Sequence, residues 1–176
     1  IKVAPFNRYR TLDVIHGLVA ARAEDRIALY TGNDDHILLD LILPFEVMRD
    51  GVPVRVRFNG GLLGHWSVWT QKAVALFDRC RTVRLQNSVP DDFLALDAQV
   101  TDCNAAFFDV ANEFQGCIAG CHEVLRRQGL LRGTWCLDPR QSLGPGQMAE
   151  IDRVYAAYPH LNDDDFVRKH LERWLS

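Results

Sequence analysis

Lys2 stands in the short apolar stretch Ile1-Lys2-Val3-Ala4, a setting in which an amine can become a nucleophile. A lysine on a buried strand either snorkels its ammonium to water or loses hydration, and lost hydration favours the neutral amine. A neutral amine adds to a carbonyl and forms a Schiff base. Lysine is scarce in this chain: Lys2, Lys72 and Lys169 stand against seventeen arginines, so where a point charge sufficed Arg was mostly used. A solvated chain end is the plainer alternative for Lys2. Two glycine-bearing stretches could complete a site with it. Arg26-Ile-Ala-Leu-Tyr-Thr31 ends in Gly32-Asn33-Asp34-Asp35, and Gly60-Gly61-Leu62-Leu63-Gly64 lies further on. Glycines let a ligand approach the backbone closely, and amides opening a helix can hold a carboxylate. Helix capping is the ordinary alternative for Asp34, and turn or bulge geometry for Gly60 and Gly61.

These residues need strands and helices to place them. Thr11 is a candidate cap for a helix carrying Leu12, Ile15, Leu18 and Val19 on one face. With the apolar runs on either side it makes a strand, helix, strand unit. His36-Ile-Leu-Leu-Asp-Leu-Ile-Leu43 predicts a second helix, stopped near Pro44 or carried, kinked, to Met48. Asp50-Gly51 predicts a turn. Val52, Val54, Val56 and Phe58 alternate with Pro53, Arg55 and Arg57 as a strand with one polar face, broken at Asn59-Gly60-Gly61. From Val68 to Arg81 the pattern is helical, and after the polar linker Gln86 to Pro90 only helices are expected. These run from Asp91 to about Phe114, Ile118 to Arg127, Gly146 to Tyr158, and onward from Asn162-Asp-Asp-Asp165, whose acids suit the positive end of a helix dipole. Strands alternating with helices imply parallel β/α units, with chemistry gathered at the carboxyl ends of the strands.

Composition narrows the classes of function. The chain has 176 residues, 48% of them hydrophobic, enough for one sizeable core. A formal charge of -3 and a pI near 6.1, with dispersed arginines, give no footprint for nucleic acid. No apolar run reaches the roughly 20 residues of a membrane span. Five cysteines without framework spacing fit a reducing compartment, so a soluble, cytoplasmic protein is expected. Cys117, Cys121 and His122 read as packing residues rather than a zinc site. A chain opening on Ile inside an apolar strand reads as part of a longer polypeptide.

Ile1-Lys2, a helix, a strand ending Gly32-Asn33-Asp34-Asp35, and then Gly61-Leu62-Leu63-Gly64 resemble the C-terminal part of the dihydrodipicolinate synthase and N-acetylneuraminate lyase family. In that family the corresponding segments read Gly-Ile-Lys, Gly-Asp or Gly-Asp-Asp, and Gly-Val-Ile-Ser. The tail is similar too: Glu123 to Leu131, a loop through Asp138-Pro139 and Gly144-Pro145, then Gln147 to Leu161. The resemblance is narrower to an uncharacterised branch annotated only as related to dihydrodipicolinate synthase. Gly64 stands where the family usually has Ser, Asn33 extends the usual Gly-Asp, and the Val52 to Phe58 strand looks like an insertion.

The resemblance implies an α/β fold: the last three β/α units of a (β/α)8 TIM barrel over residues 1–85, then a helical C-terminal extension over residues 86–176. It implies a class I aldolase or lyase in which Lys2 condenses with a 2-oxo acid such as pyruvate, with Asn33, Asp34, Gly61 and Leu63 around the substrate. No metal or organic cofactor is implied. The partners implied are the small 2-oxo acid, the upstream half of the barrel with the family's proton-relay tyrosine, and further copies in a dimer or tetramer. A barrel that binds a small acid or sugar as a sensor, without turnover, is the alternative.

Overall fold

The computed structural model describes residues 1–5, 7–62 and 64–176, without the side chain of His65. Among the described residues five short strands and seven α-helices follow in the order β1 (Lys2–Val3), α1 (Arg8–Ala20), β2 (Leu29–Thr31), α2 (Ile37–Ile42), β3 (Phe45–Arg49), β4 (Val52–Val56), β5 (Phe58–Gly61), α3 (Thr70–Val83), α4 (Asp91–Phe107), α5 (Cys117–Arg127), α6 (Gln147–Ala157) and α7 (Asp164–Leu175). Two compact units divide them: Ile1–Leu63 with Leu76–Asp97, and Gly64–Ala75 with Ala98–Ser176. Among the described residues no helix is long and apolar enough to cross a membrane.

In the first unit β1, β2 and β5 form a parallel sheet in the order β1-β2-β5. Lys2 lies opposite Tyr30 and Val3 opposite Thr31, while Tyr30 and Thr31 lie opposite Gly60 and Gly61. One face of this sheet is apolar. Val3, Leu29 and Phe58 pack with Ile15, Leu18 and Val19 of α1, joined by Ala23 and Val56, in a buried cluster. Burying such side chains supplies the driving force that holds helix to sheet. Asn7, not Thr11, caps α1: its side chain accepts the Tyr9 N–H. Thr11 falls one turn inside the helix and is fully buried.

The expected portion of a (β/α)8 barrel is overturned. The strands form an open three-stranded parallel sheet and a separate two-stranded antiparallel ribbon, a mixed α/β arrangement rather than a barrel segment. Only the general α/β reading stands. The ribbon pairs β3 with β4, Phe45 opposite Val56 through Arg49 opposite Val52. The helix read from His36 stops at Ile42, because Pro44 cannot continue it and Phe45, Val47, Val54 and Val56 alternate inward in the ribbon. Asn59-Gly60-Gly61 does not break a strand. It belongs to β5, whose ladder runs on to the Leu62 N–H donating to the Thr31 carbonyl at 2.8 Å.

A buried polar network ties the carboxyl end of this sheet to both neighbouring helices. Asp40 of α2 is fully buried; it accepts the Thr31 hydroxyl at 2.7 Å and Arg8 Nη1 at 2.6 Å. Asp97 holds the start of α2 from α4, accepting the Leu39 N–H at 3.1 Å and bonding His36 Nδ1 at 2.7 Å. Arg79 pairs with Asp92 and lies over the Phe93 ring, joining α3 to α4 within this unit.

The second unit is helical among its described elements. Gln147, at the start of α6, is buried and donates from Nε2 to the carbonyls of Ala106, Phe107 and Gly116, while its Oε1 accepts the Gly144 N–H. One amide thus closes carbonyls left open at the end of α4 and adds a bond to the Gly116 carbonyl, which also accepts the Gly120 N–H. Glu123, fully buried, accepts from Arg126 and Arg127, and Arg127 lies over the Tyr155 ring. Those two guanidiniums hold the Glu123 carboxyl below the usual carboxylate range. Trp69 packs edge-on against Phe107 and Tyr155. At the start of α7 the Asn162 side chain accepts the Asp164 N–H.

Candidate functional site

The carboxyl ends of β1, β2 and β5 bring together Lys2, Gly32 and Gly61. Lys2 and Tyr30 are register partners, so their side chains leave the same face of the sheet, opposite to the face that packs on α1. The Lys2 stem then runs along the strands. Its Cα is level with Tyr30, yet its Cε lies 2.4 Å from the point a Cβ at Gly32 would occupy, two residues nearer the carboxyl end. Ala4 Cβ lies 2.6 Å from the same point. Only a glycine leaves room for this course. The Tyr30 ring covers Gly60 in the same way, its Cε1 2.8 Å from the position of a Cβ there.

Lys2 itself is exposed. The buried-strand premise therefore fails on this side: β1 buries Val3 and leaves Lys2 in contact with water, the snorkelling outcome. Asn33 is buried but turns toward α1, donating from Nδ2 to Thr11 Oγ1 at 3.3 Å while its N–H donates to Thr31 Oγ1 at 3.2 Å. Its Oδ1 has no donor among the described residues. Asp34 is half-buried and accepts the Asp35 N–H at 3.1 Å. It does not cap α2; His36 occupies that position with a left-handed backbone. Gly61 is half-buried at the end of β5, opposite Thr31. Leu63 lies outside the described residues.

Burial pushes the Asp34 carboxyl up from its ordinary value of 3.8, with the Asp35 charge adding to the effect and local N–H groups opposing it. Folding therefore favours the protonated form. The resulting stability is complete below the unfolded value near 3.8 and is lost as pH rises through the higher folded value. Asp34→Asn is accordingly expected to raise stability at neutral pH, with the gain disappearing in acid. Urea unfolding at pH 7 and at pH 3 checks this, and a gain that survives at the lower pH would contradict it.

Other nucleophiles offer less. The cysteines are free thiols, and burial pushes Cys80, Cys103 and Cys121 up to about 12, leaving no ready thiolate at those three. Among the described residues no three His, Cys, Asp or Glu groups converge as metal ligands.

That Tyr30 is the register partner of Lys2 is not legible in the sequence, because strand register is set by partners remote along the chain. The Arg8-Asp40-Thr31 network was missed for the same reason, although Asp40 within an otherwise apolar helical run was a visible signal that a buried charge needed a partner. Comparison of the chain with protein-family models, curated proteins and solved structures finds no match.

Proposed function

We propose that the chain is a Schiff-base-forming lyase acting on a 2-oxo acid, as the likeness to dihydrodipicolinate synthase implies, with Lys2 as its nucleophile. The observation that carries this reading is the course of the Lys2 stem over Gly32, which carries its Cε to the carboxyl end of β2. The amine first gives up a proton, then its lone pair adds to the ketone carbon; acid-assisted loss of water from the carbinolamine leaves the protonated imine. Removal of a proton from the neighbouring carbon gives an enamine, the species that adds to an aldehyde. Asp34, holding its proton to a higher pH than an exposed carboxyl, suits these proton transfers. With the reading go a cytoplasmic location and self-association.

Two observations favour a second reading, binding of a small acid without turnover: Lys2 is exposed, and Asn33 turns its amide to α1. An exposed ammonium remains a good partner for a carboxylate and a poorer nucleophile. Borohydride reduction in the presence of pyruvate separates the two. The lyase reading expects one stable adduct at Lys2 by peptide mass mapping, absent in Lys2→Arg and sharply reduced in Gly32→Ala. No adduct, or equal labelling of Lys72 and Lys169, would leave only the binding reading.

A further inference from the structure

A cleft of 520 Å³ runs along the last turns of α3, lined by Asp78, Arg81, Thr82, Arg84 and Leu85. Arg84 reaches from it to the first residue of β5, where Nη1 donates to the Phe58 carbonyl at 3.3 Å. Arg57, the residue just before β5, donates from Nη1 to the Ile42 carbonyl. Both guanidiniums are half-buried, and among the described residues neither has a carboxylate within ion-pair distance.

Partial burial without a countercharge sets the pair apart, since Arg10 and Arg26, which also have no ion pair among the described residues, are exposed. Elsewhere in this unit Arg8, Arg22, Arg49, Arg55 and Arg79 each pair with an acid. Arg84 reaches the carbonyl of Phe58, the chain neighbour of Arg57, which sets both side chains at the start of β5; burial first, and then the charges of Arg84 and Arg55, hold Arg57 below the ordinary arginine range. Capping of α3 does not account for Arg84, because the carbonyl it reaches belongs to β5 rather than to the helix. Each planar fork has five N–H groups and spends one on a backbone carbonyl, so most of the donors remain for an anion.

We propose that Arg57 and Arg84 form an anion site for a phosphate-bearing small molecule at the junction of β5 and α3. Phosphate fits better than a monocarboxylate because two adjacent cations are balanced by a dianion whose oxygens accept paired N–H bonds. The cleft along Arg81, Thr82 and Leu85 has room for the organic part of a phosphomonoester.

Calorimetric titration of the full chain with inorganic phosphate and with phenyl phosphate, at ionic strength held constant with chloride, tests the proposal. Saturable binding of both is expected, weakened about tenfold or more in Arg57→Gln and in Arg84→Gln, since charge-assisted hydrogen bonds are lost. Arg22→Gln, whose guanidinium is held by Asp50, should bind as the parent does. Where a Gln variant fails to fold, Arg84→Lys keeps the charge and removes the fork, and should still weaken binding. Equal binding in the parent and in R57Q/R84Q, no binding at all, or phosphate binding with exclusion of the monoester would overturn the site.

Discussion

Gly120→Ala should destabilise the second unit by about 2 kcal/mol, although alanine at a helix interior ordinarily gains about 1 kcal/mol over glycine. The sign reverses because of what the methyl group would meet. An ideal Cβ at Gly120 falls 2.0 Å from the Phe107 carbonyl oxygen and 2.4 Å from Gln147 Nε2. Backbone at the end of α4 cannot yield cheaply, and Gln147 cannot move without releasing its bonds to Ala106, Phe107 and Gly116. Overpacking of this kind costs about 3 kcal/mol, which outweighs the propensity gain. Gly17 provides the control: it lies within α1 with nothing inside 4 Å of its Cβ position, so Gly17→Ala should stabilise by about 1 kcal/mol. Urea denaturation of both variants followed by far-ultraviolet circular dichroism reads the contrast; a stabilised Gly120→Ala would mean that α5 sits further from Phe107.

Asp40→Ala should cost about 3 kcal/mol, because it strands a buried Thr31 hydroxyl and removes one of the two charged partners of Arg8, leaving it Asp35. The two contributions separate. Asp40→Asn keeps an acceptor for Thr31 and loses the charge, and Arg8 is 40% exposed, so water compensates much of that loss and about 1 kcal/mol is expected. Thr31→Val removes the donor instead. If Asp40→Ala and Asp40→Asn prove equally costly in denaturant titration, the ion pair rather than the Thr31 bond carries the network.

Much of the helical structure was legible. Apolar residues at helical spacing marked α1 and α3, and the expected bounds of α5 and α6 lie within about two residues of the observed ones, the usual uncertainty of helix ends. The errors have local causes. Thr11 looked like a cap because it precedes an apolar face; Asn7 takes that role and Thr11 binds Asn33 instead. For Phe45 to Met48 the sequence allowed a kinked continuation of the helix beside the stop near Pro44 that forms, because the pairing with β4 that makes this segment a strand is a tertiary contact. Gly60-Gly61 looked like a break because glycine has poor strand propensity, but the Tyr30 ring supplies the packing that Gly60 lacks.

The candidate site divides in the same way. That Lys2 belongs to a strand and that Gly32 follows another could be read from apolar runs and a turn-forming tetrapeptide, since both are properties of a few neighbouring residues. The meeting of Lys2 Cε with Gly32, the exposure of Lys2 and the turn of Asn33 toward α1 depend on strand register and on which face α1 covers. The same holds for the open sheet that replaces the expected barrel segment. By itself the sequence determined an α/β chain with a helical C-terminal half, because periodicity along the chain specifies local structure. Only the tertiary structure decided how the strands pair and what faces water, because pairing and burial are made between residues far apart along the chain.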